Sequence, residues 1–239
     1  MADAVTAAGA ALRGGQFDQA LARLQAALGQ RPASPSAPEA NLLIAHVYER
    51  QRRLDAATAA YTEVKNSYPR NPVAAEALVR LADLVQQTKQ PDRVQKAIGY
   101  LTQAVTTFPD TAMAPQALAM RAGIEDKENL KVTDPALGRP VPAALVSYRQ
   151  LVEQYPSAGV SELACWKLAS YYDDLKRYDL AVQALETLGT RFPATRYDAW
   201  WEAGETYEKR LKDKDRARNA YQRVPASSRH YRDAQKKLQ

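Results

Sequence analysis

The residues of this chain whose types could do chemistry are three tryptophans, one cysteine, two histidines and a scatter of carboxylates. His46 and His230 stand far apart, and no His-x-x-x-His pair or Cys/His cluster supplies a metal set. No Gly-rich phosphate loop is present. Asp173-Asp174 and Glu125-Asp126 are neighbouring carboxylates on helical stretches. Adjacent helical residues do not face each other, so these pairs read as solvated faces rather than as an acid and a base. Cys165 has no basic residue beside it to lower its pKa and reads as a small core residue. Nothing positions a Ser-His-Asp constellation. The expectation is a chain that is not an enzyme, with no cofactor, metal or small-molecule substrate.

Composition narrows the setting. Of 239 residues 46% are hydrophobic, and the mean hydropathy is −0.49. The uncharged run Ala97 to Pro109 is too short for a bilayer, which takes about 20 residues, so no membrane span is expected. Met1-Ala2-Asp3 opens without the basic n-region of a signal peptide. The expected compartment is the cytoplasm, or the periplasm and cell envelope if the chain is an excised mature segment. Formal charge is +6, yet residues 207–239 hold 11 Lys/Arg against 4 Asp/Glu, a net of +7, which leaves the remainder at −1.

The elements that must position these residues form a repeat. From Ser161 to Pro193, Ala164, Leu168, Ala169 and Tyr172 share one helical face. The period breaks at Lys176-Arg177 and restarts at Ala181, Leu185 and Leu188. That is a helical hairpin. Twelve residues before each of Pro32, Pro69, Pro109, Pro156 and Pro193 stands an alanine: Ala20, Ala57, Ala97, Ala144 and Ala181. Eight before come Leu24, Tyr61, Leu101, Tyr148 and Leu185. A sixth copy, Ala217-Tyr221-Val224, lacks its proline. A small residue lets helices approach, the large one above it fills the gap, and proline ends the helix. The first helices repeat as well. Ala8, Ala45 and Ala169 stand twelve before their partner alanines, and Gly204 stands thirteen before Ala217. Asp18, Asp55, Asp179 and Asp215 are expected to N-cap the second helices, and Asn71-Pro72 to open a first helix. Ten extra residues near 129–140 carry Pro135, Gly138 and Pro140 and are expected to form a loop, either a tolerated insertion or a partner-binding element.

This pattern of small residue, aromatic three later, alanine twelve later and closing proline resembles the tetratricopeptide repeat. Copies fall at roughly 2–32, 38–69, 72–109, 113–156, 159–193 and 196–228, with a cap at 229–239. The stretch from Tyr68-Pro69 to Leu81-Ala82 is similar to repeats of bacterial cell-envelope proteins, such as the outer-membrane assembly lipoprotein and the Tol-Pal-associated coordinator. The resemblance implies an all-α, right-handed α-solenoid of about six hairpins forming a single array. It also implies a non-enzymatic scaffold that binds a protein segment in its concave face.

The family's groove positions fall here on Glu39, His46, Glu49, Glu76, Asp83, Asp126, Trp166, Asp173, Trp201, Glu205 and Glu208, an acidic set within a basic chain. Trp166 and Trp201 take the same position in adjacent repeats, where they are expected to stand side by side, as inter-repeat packing or as an aromatic shelf. Trp200 takes a packing position. The implied partner is a protein or peptide with basic and apolar side chains. The Lys/Asn clamp by which some family members grip chaperone C-termini is missing at Val79, Asp83, Trp166 and Ser170. Two alternatives stay open. One is a structural part of a bacterial cell-envelope assembly that uses its edges and the 129–140 loop rather than the groove. The other is binding of nucleic acid or an anionic surface by the basic C-terminal repeat, which its interleaved Asp213, Asp215 and Asp233 disfavour. Tyr231 of the cap is expected to pack near Tyr221.

Overall fold

The computed structural model describes residues 1–239. The fold is all-α, with helical hairpins stacked in solenoid fashion and one small β-hairpin. Two compact units, Met1–Ala117 and Leu118–Gln239, divide the chain within a helix. The first holds α1 (Ala2–Arg13), α2 (Phe17–Gln30), α3 (Ala37–Arg50), α4 (Leu54–Ser67), α5 (Val73–Gln86) and α6 (Arg93–Thr107). The boundary falls in α7 (Met113–Lys127). The second unit continues with β1 (Lys131–Asp134), β2 (Arg139–Pro142), α8 (Ala143–Gln154), α9 (Ser161–Asp174) and α10 (Tyr178–Arg191). It ends with α11 (Ala199–Thr206), α12 (Lys214–Gln222) and α13 (Tyr231–Lys237). No helix is long and apolar enough to cross a membrane.

The alanine register is the core. Ala20, Ala57, Ala97, Ala144, Ala181 and Ala217 are all buried, as are the large residues one turn later. Leu24 and Tyr61 are completely so. In the first unit Ala45, Ala57, Tyr61, Val64 and Leu81 share one cluster. This is interhelical packing of small against large residues, the pattern that the spacing predicts.

The caps differ from expectation. Helices α2, α4 and α10 start one residue before Asp18, Asp55 and Asp179, so these carboxylates sit inside the first turn and favour the helix dipole instead of capping. The reason is the turn before them. Gly15, Arg52, Lys176 and Lys212 each stand five residues before the repeat alanine, and each adopts a left-handed φ of 57–75°. That bend puts the cap at Gln16, Arg53, Arg177 and Asp213. Only Asp213 uses its side chain, accepting from the Arg216 N–H at 2.9 Å. At Asn71 the expected bond is present, Asn71 Oδ1 accepting from the Val73 N–H at 3.0 Å. The same side-chain turn opens three other first helices, at Ser34, Thr195 and Ser228.

Two irregularities take definite form. The thirteen-residue offset after Gly204 is absorbed by a π-helical turn, Tyr207–Leu211, which accommodates the extra residue within the helix. The stretch expected as a loop is an antiparallel hairpin pairing Lys131 with Pro142, Val132 with Val141, Thr133 with Pro140 and Asp134 with Arg139. Gly138, at φ +63°, supplies the left-handed residue in its turn. Asp134 is buried and holds the hairpin on α8 through a two-pronged bond to Arg149, at 2.9 and 3.0 Å. Burial works against the Asp134 charge, but Arg149 and the Ala136 N–H outweigh it and keep the carboxyl below its ordinary range.

Candidate functional site

Much of the predicted acidic set is occupied by its own chain. In the first unit the Tyr61 hydroxyl donates to Glu49 Oε2 at 2.5 Å, and Arg80 lies 3.8 Å from both Glu49 and Glu76. His46 Nε2 lies 3.1 Å from Glu76 Oε1, and that contact holds the Glu76 carboxyl below its usual range. Asp83 accepts from Gln87 at 3.2 Å, while Glu39 is exposed. In the second unit Lys167 Nζ and the Tyr171 hydroxyl both donate to Asp126, at 2.9 and 2.5 Å. Burial opposes the Asp126 charge, and those two donors more than offset it.

A rule links these pairs. The second-helix residue four after the repeat alanine is tyrosine in the second, fourth and sixth copies, Tyr61, Tyr148 and Tyr221. In the same copies the first-helix residue four after the small residue is a carboxylate, Glu49, Asp126 and Glu208. Tyr61 meets Glu49, and Tyr221 meets Glu208 at 2.8 Å. In the fourth copy Tyr171 takes the hydroxyl's place. Where leucine stands instead, the position carries Leu12, Gln86 or Asp173. The co-occurrence of tyrosine and acid therefore signals two of the three bonds and misses the one that Tyr171 makes to Asp126.

Each of the two groove tryptophans is stacked on a ring from the segment that follows its repeat. Trp166 stacks on Tyr197, with centroids 4.9 Å apart and planes 13° apart. Trp201 stacks on His230 at 4.7 Å and 4°, with Tyr221 at 5.3 Å on another side. The brackets are alike. Thr195 and Ser228 each receive the N–H of the aromatic residue two places on. Each also donates to a carboxylate of the preceding repeat, Glu162 at 2.7 Å and Asp198 at 2.6 Å. An aromatic residue entering each following helix thus covers the tryptophan of the repeat before it. By this criterion α13 takes the place of the first helix of a further repeat. Tyr231 on it is exposed, while His230 stacks on Trp201 and the Lys237 ammonium lies over the Tyr221 ring. Trp200 lies over Gly189, where an added Cβ would stand 2.5 Å from the indole nitrogen.

Below these brackets the fifth and sixth repeats part. In the sixth, Glu208 accepts from Lys237 at 2.6 Å, and Glu205 from Lys209 and from the Tyr221 hydroxyl at 3.0 Å. Arg229 closes on Asp198 at 3.0 Å. Lys237 and then Tyr221 hold the Glu208 carboxyl below its ordinary range. In the fifth, a cleft of about 210 Å³ opens between α9, α10 and α11. Trp166, Ser170, Asp173 and Asp174, four of the family's groove positions in that repeat, line it. Ala169, Ala181 and Leu185 give it an apolar floor, and Glu202 enters from the facing helix. No hydrogen bond or ion pair of the chain engages the carboxylates of Asp173, Asp174 or Glu202. Burial pushes the Glu202 carboxyl up. Glu202 is missed by the sequence pattern because the groove positions take Trp201 and Glu205 and step over the three residues between.

Other reactive types are accounted for. Cys165 is buried, and burial pushes its thiol up to about 11. Glu125 is buried against the Ser147 hydroxyl, at 2.5 Å, and Arg121. The basic C-terminal residues are interleaved with acids, as in Arg216–Asp213 and Lys236–Asp233.

Comparison with known proteins agrees with this architecture. Tetratricopeptide repeat models match residues 5–72, 163–188 and 198–227. Among solved structures, a tetratricopeptide repeat protein from Parabacteroides merdae is 14% identical, with 99% of this chain and 96% of that one covered and a TM-score of 0.53. The Pseudomonas aeruginosa protein pilF is 16% identical, with 98% and 96% covered and a TM-score of 0.55. These are likenesses of fold. No curated protein matches the chain. The matched stretches, the alanine register and the hairpin geometry agree, and the chain belongs to the tetratricopeptide repeat family.

Proposed function

We propose that this chain is a protein-interaction scaffold whose fifth-repeat cleft holds a basic side chain of a partner segment, with an apolar neighbour against Trp166. The observation that carries the reading is the set of three carboxylates, Asp173, Asp174 and Glu202, without partners around an apolar floor and a tryptophan wall. A half-buried carboxylate that burial has pushed up gains most from an incoming ammonium or guanidinium. The indole and the aliphatic floor suit the methylene stem of the same side chain. The family's use as interaction scaffolds supports the coarse reading, and the unpaired acids support the choice of a basic partner.

The test is a titration with a short peptide alternating lysine and leucine, followed by calorimetry, against the same peptide with glutamate for lysine. The lysine peptide should bind. A variant carrying Asp173→Asn, Asp174→Asn and Glu202→Gln should lose at least tenfold in affinity with its melting temperature kept or raised. Equal affinity of the two peptides, or an unchanged triple variant, would remove the cleft from consideration.

A further inference from the structure

The β-hairpin has one closed edge and one open edge. Pro140 and Pro142 on β2 bring no N–H to the ladder, so Val132–Val141 and Asp134–Arg139 are its hydrogen-bonded pairs. The Ala143 N–H, which donates to the Leu130 carbonyl at 2.8 Å, continues that alternation. The ring nitrogens of Pro140 and Pro142 therefore face outward, and the free edge of β2 offers no donor to another strand. On β1 the outward residues are Lys131 and Thr133. Both are exposed, and no group of the chain takes up their backbone N–H or C=O. The open edge ends at Pro135 on one side and at Asn129, with φ +50°, on the other.

This edge is symmetric about Val132, which is 41% exposed on a strand whose partner Val141 is buried. We propose that two copies of the chain join there, β1 to antiparallel β1, as a weak symmetric dimer with a four-stranded sheet. A two-fold axis through Val132 sets Lys131 opposite the second copy's Thr133 and the reverse. All four outward N–H groups then meet carbonyls. Val132 faces its own copy in the closely spaced, non-hydrogen-bonded position, where side chains approach nearest. No like charges stand directly opposite, because Lys131 meets threonine and Asp134 is buried against Arg149. The strand is short, and it covers far less than the roughly 1,000 Å² of a stable interface, so the dimer fills only at high concentration.

Sedimentation equilibrium of the whole chain, from micromolar to near-millimolar, tests this. The average mass should climb from 26.5 kDa toward twice that value. Thr133→Pro removes one outward N–H from a position equivalent to Pro140, which the hairpin already tolerates, and should hold the monomer mass with unchanged far-ultraviolet circular dichroism. Should that variant misfold, Val132→Glu keeps the backbone and opposes two acids at the axis, and it should also stay monomeric. A wild type that is monomeric throughout, or a folded edge variant that still dimerises, overturns the proposal.

Discussion

The fifth and sixth repeats carry tryptophan at the same place, bracket it with the same kind of turn, and treat the acids beneath it in opposite ways. Under Trp201 the chain supplies its own cation: Lys237 from α13 closes on Glu208, and Tyr221 bonds both Glu205 and Glu208. Under Trp166 no cation bonds Asp173, Asp174 or Glu202, although His230 and Arg229 act on Glu202 from a distance, and a cleft remains. The pH signatures oppose each other accordingly. Glu208, held low, contributes stability that is present above its unfolded pKa and lost as pH falls through its folded one. Glu202, pushed up, costs stability as pH rises through its midpoint and relieves that cost when protonated. On the proposed reading, a groove position binds a partner only where the chain has left its acids without a partner of their own. The sixth repeat shows what satisfies it, a basic side chain beside an aromatic ring.

The largest expected effect comes from Gly204→Ala. Its Cβ would stand 2.4 Å from the Tyr221 ring, so the ring must leave Glu205 and Glu208, at a cost of about 1–3 kcal/mol in a denaturant melt. The tryptophans should then separate by readout. Trp201→Ala removes the stacks on His230 and Tyr221 and should cost roughly 2 kcal/mol of stability, less than full burial would. Trp166→Ala should lose less in melting and more in affinity for the lysine–leucine peptide. Equal behaviour of the two would erase the distinction between the repeats. The smallest effect on folding is Lys237→Ala, an exposed pair that should cost under about 1 kcal/mol. It would leave Glu208 without its cation, and calorimetry should then detect a second, weaker peptide site.

The fold was legible because packing repeats. Alanine and its large partner must recur wherever helices cross closely, and twelve-residue spacing exposes them. The caps were misread at Asp18, Asp55 and Asp179 because the left-handed residue three places earlier is glycine in only one copy. Arg52, Lys176 and Lys212 adopt the same bend without announcing it. The hairpin at 131–142 hid behind Pro135, Gly138 and Pro140, which signal a loop until one sees that the first two sit in its turn and that Pro140, like Pro142, sits on an outward edge. At the site, residue positions were readable and their occupancy only in part, through the tyrosines of the second and sixth copies. Glu49, Asp126 and Glu208 look alike in sequence to Asp173, and only the hydroxyls of Tyr61, Tyr171 and Tyr221 tell them apart.

Carboxyl-resolved NMR titration of Glu202 and Glu208, with and without the lysine–leucine peptide, tests the central contrast most directly. Without peptide, Glu202 should titrate above the ordinary glutamate value of 4.5 and Glu208 below it. With peptide, the Glu202 midpoint should fall while that of Glu208 stays, since only the first gains a cation. A Glu202 that titrates normally and ignores the peptide, or a Glu208 that moves in its place, would contradict the account.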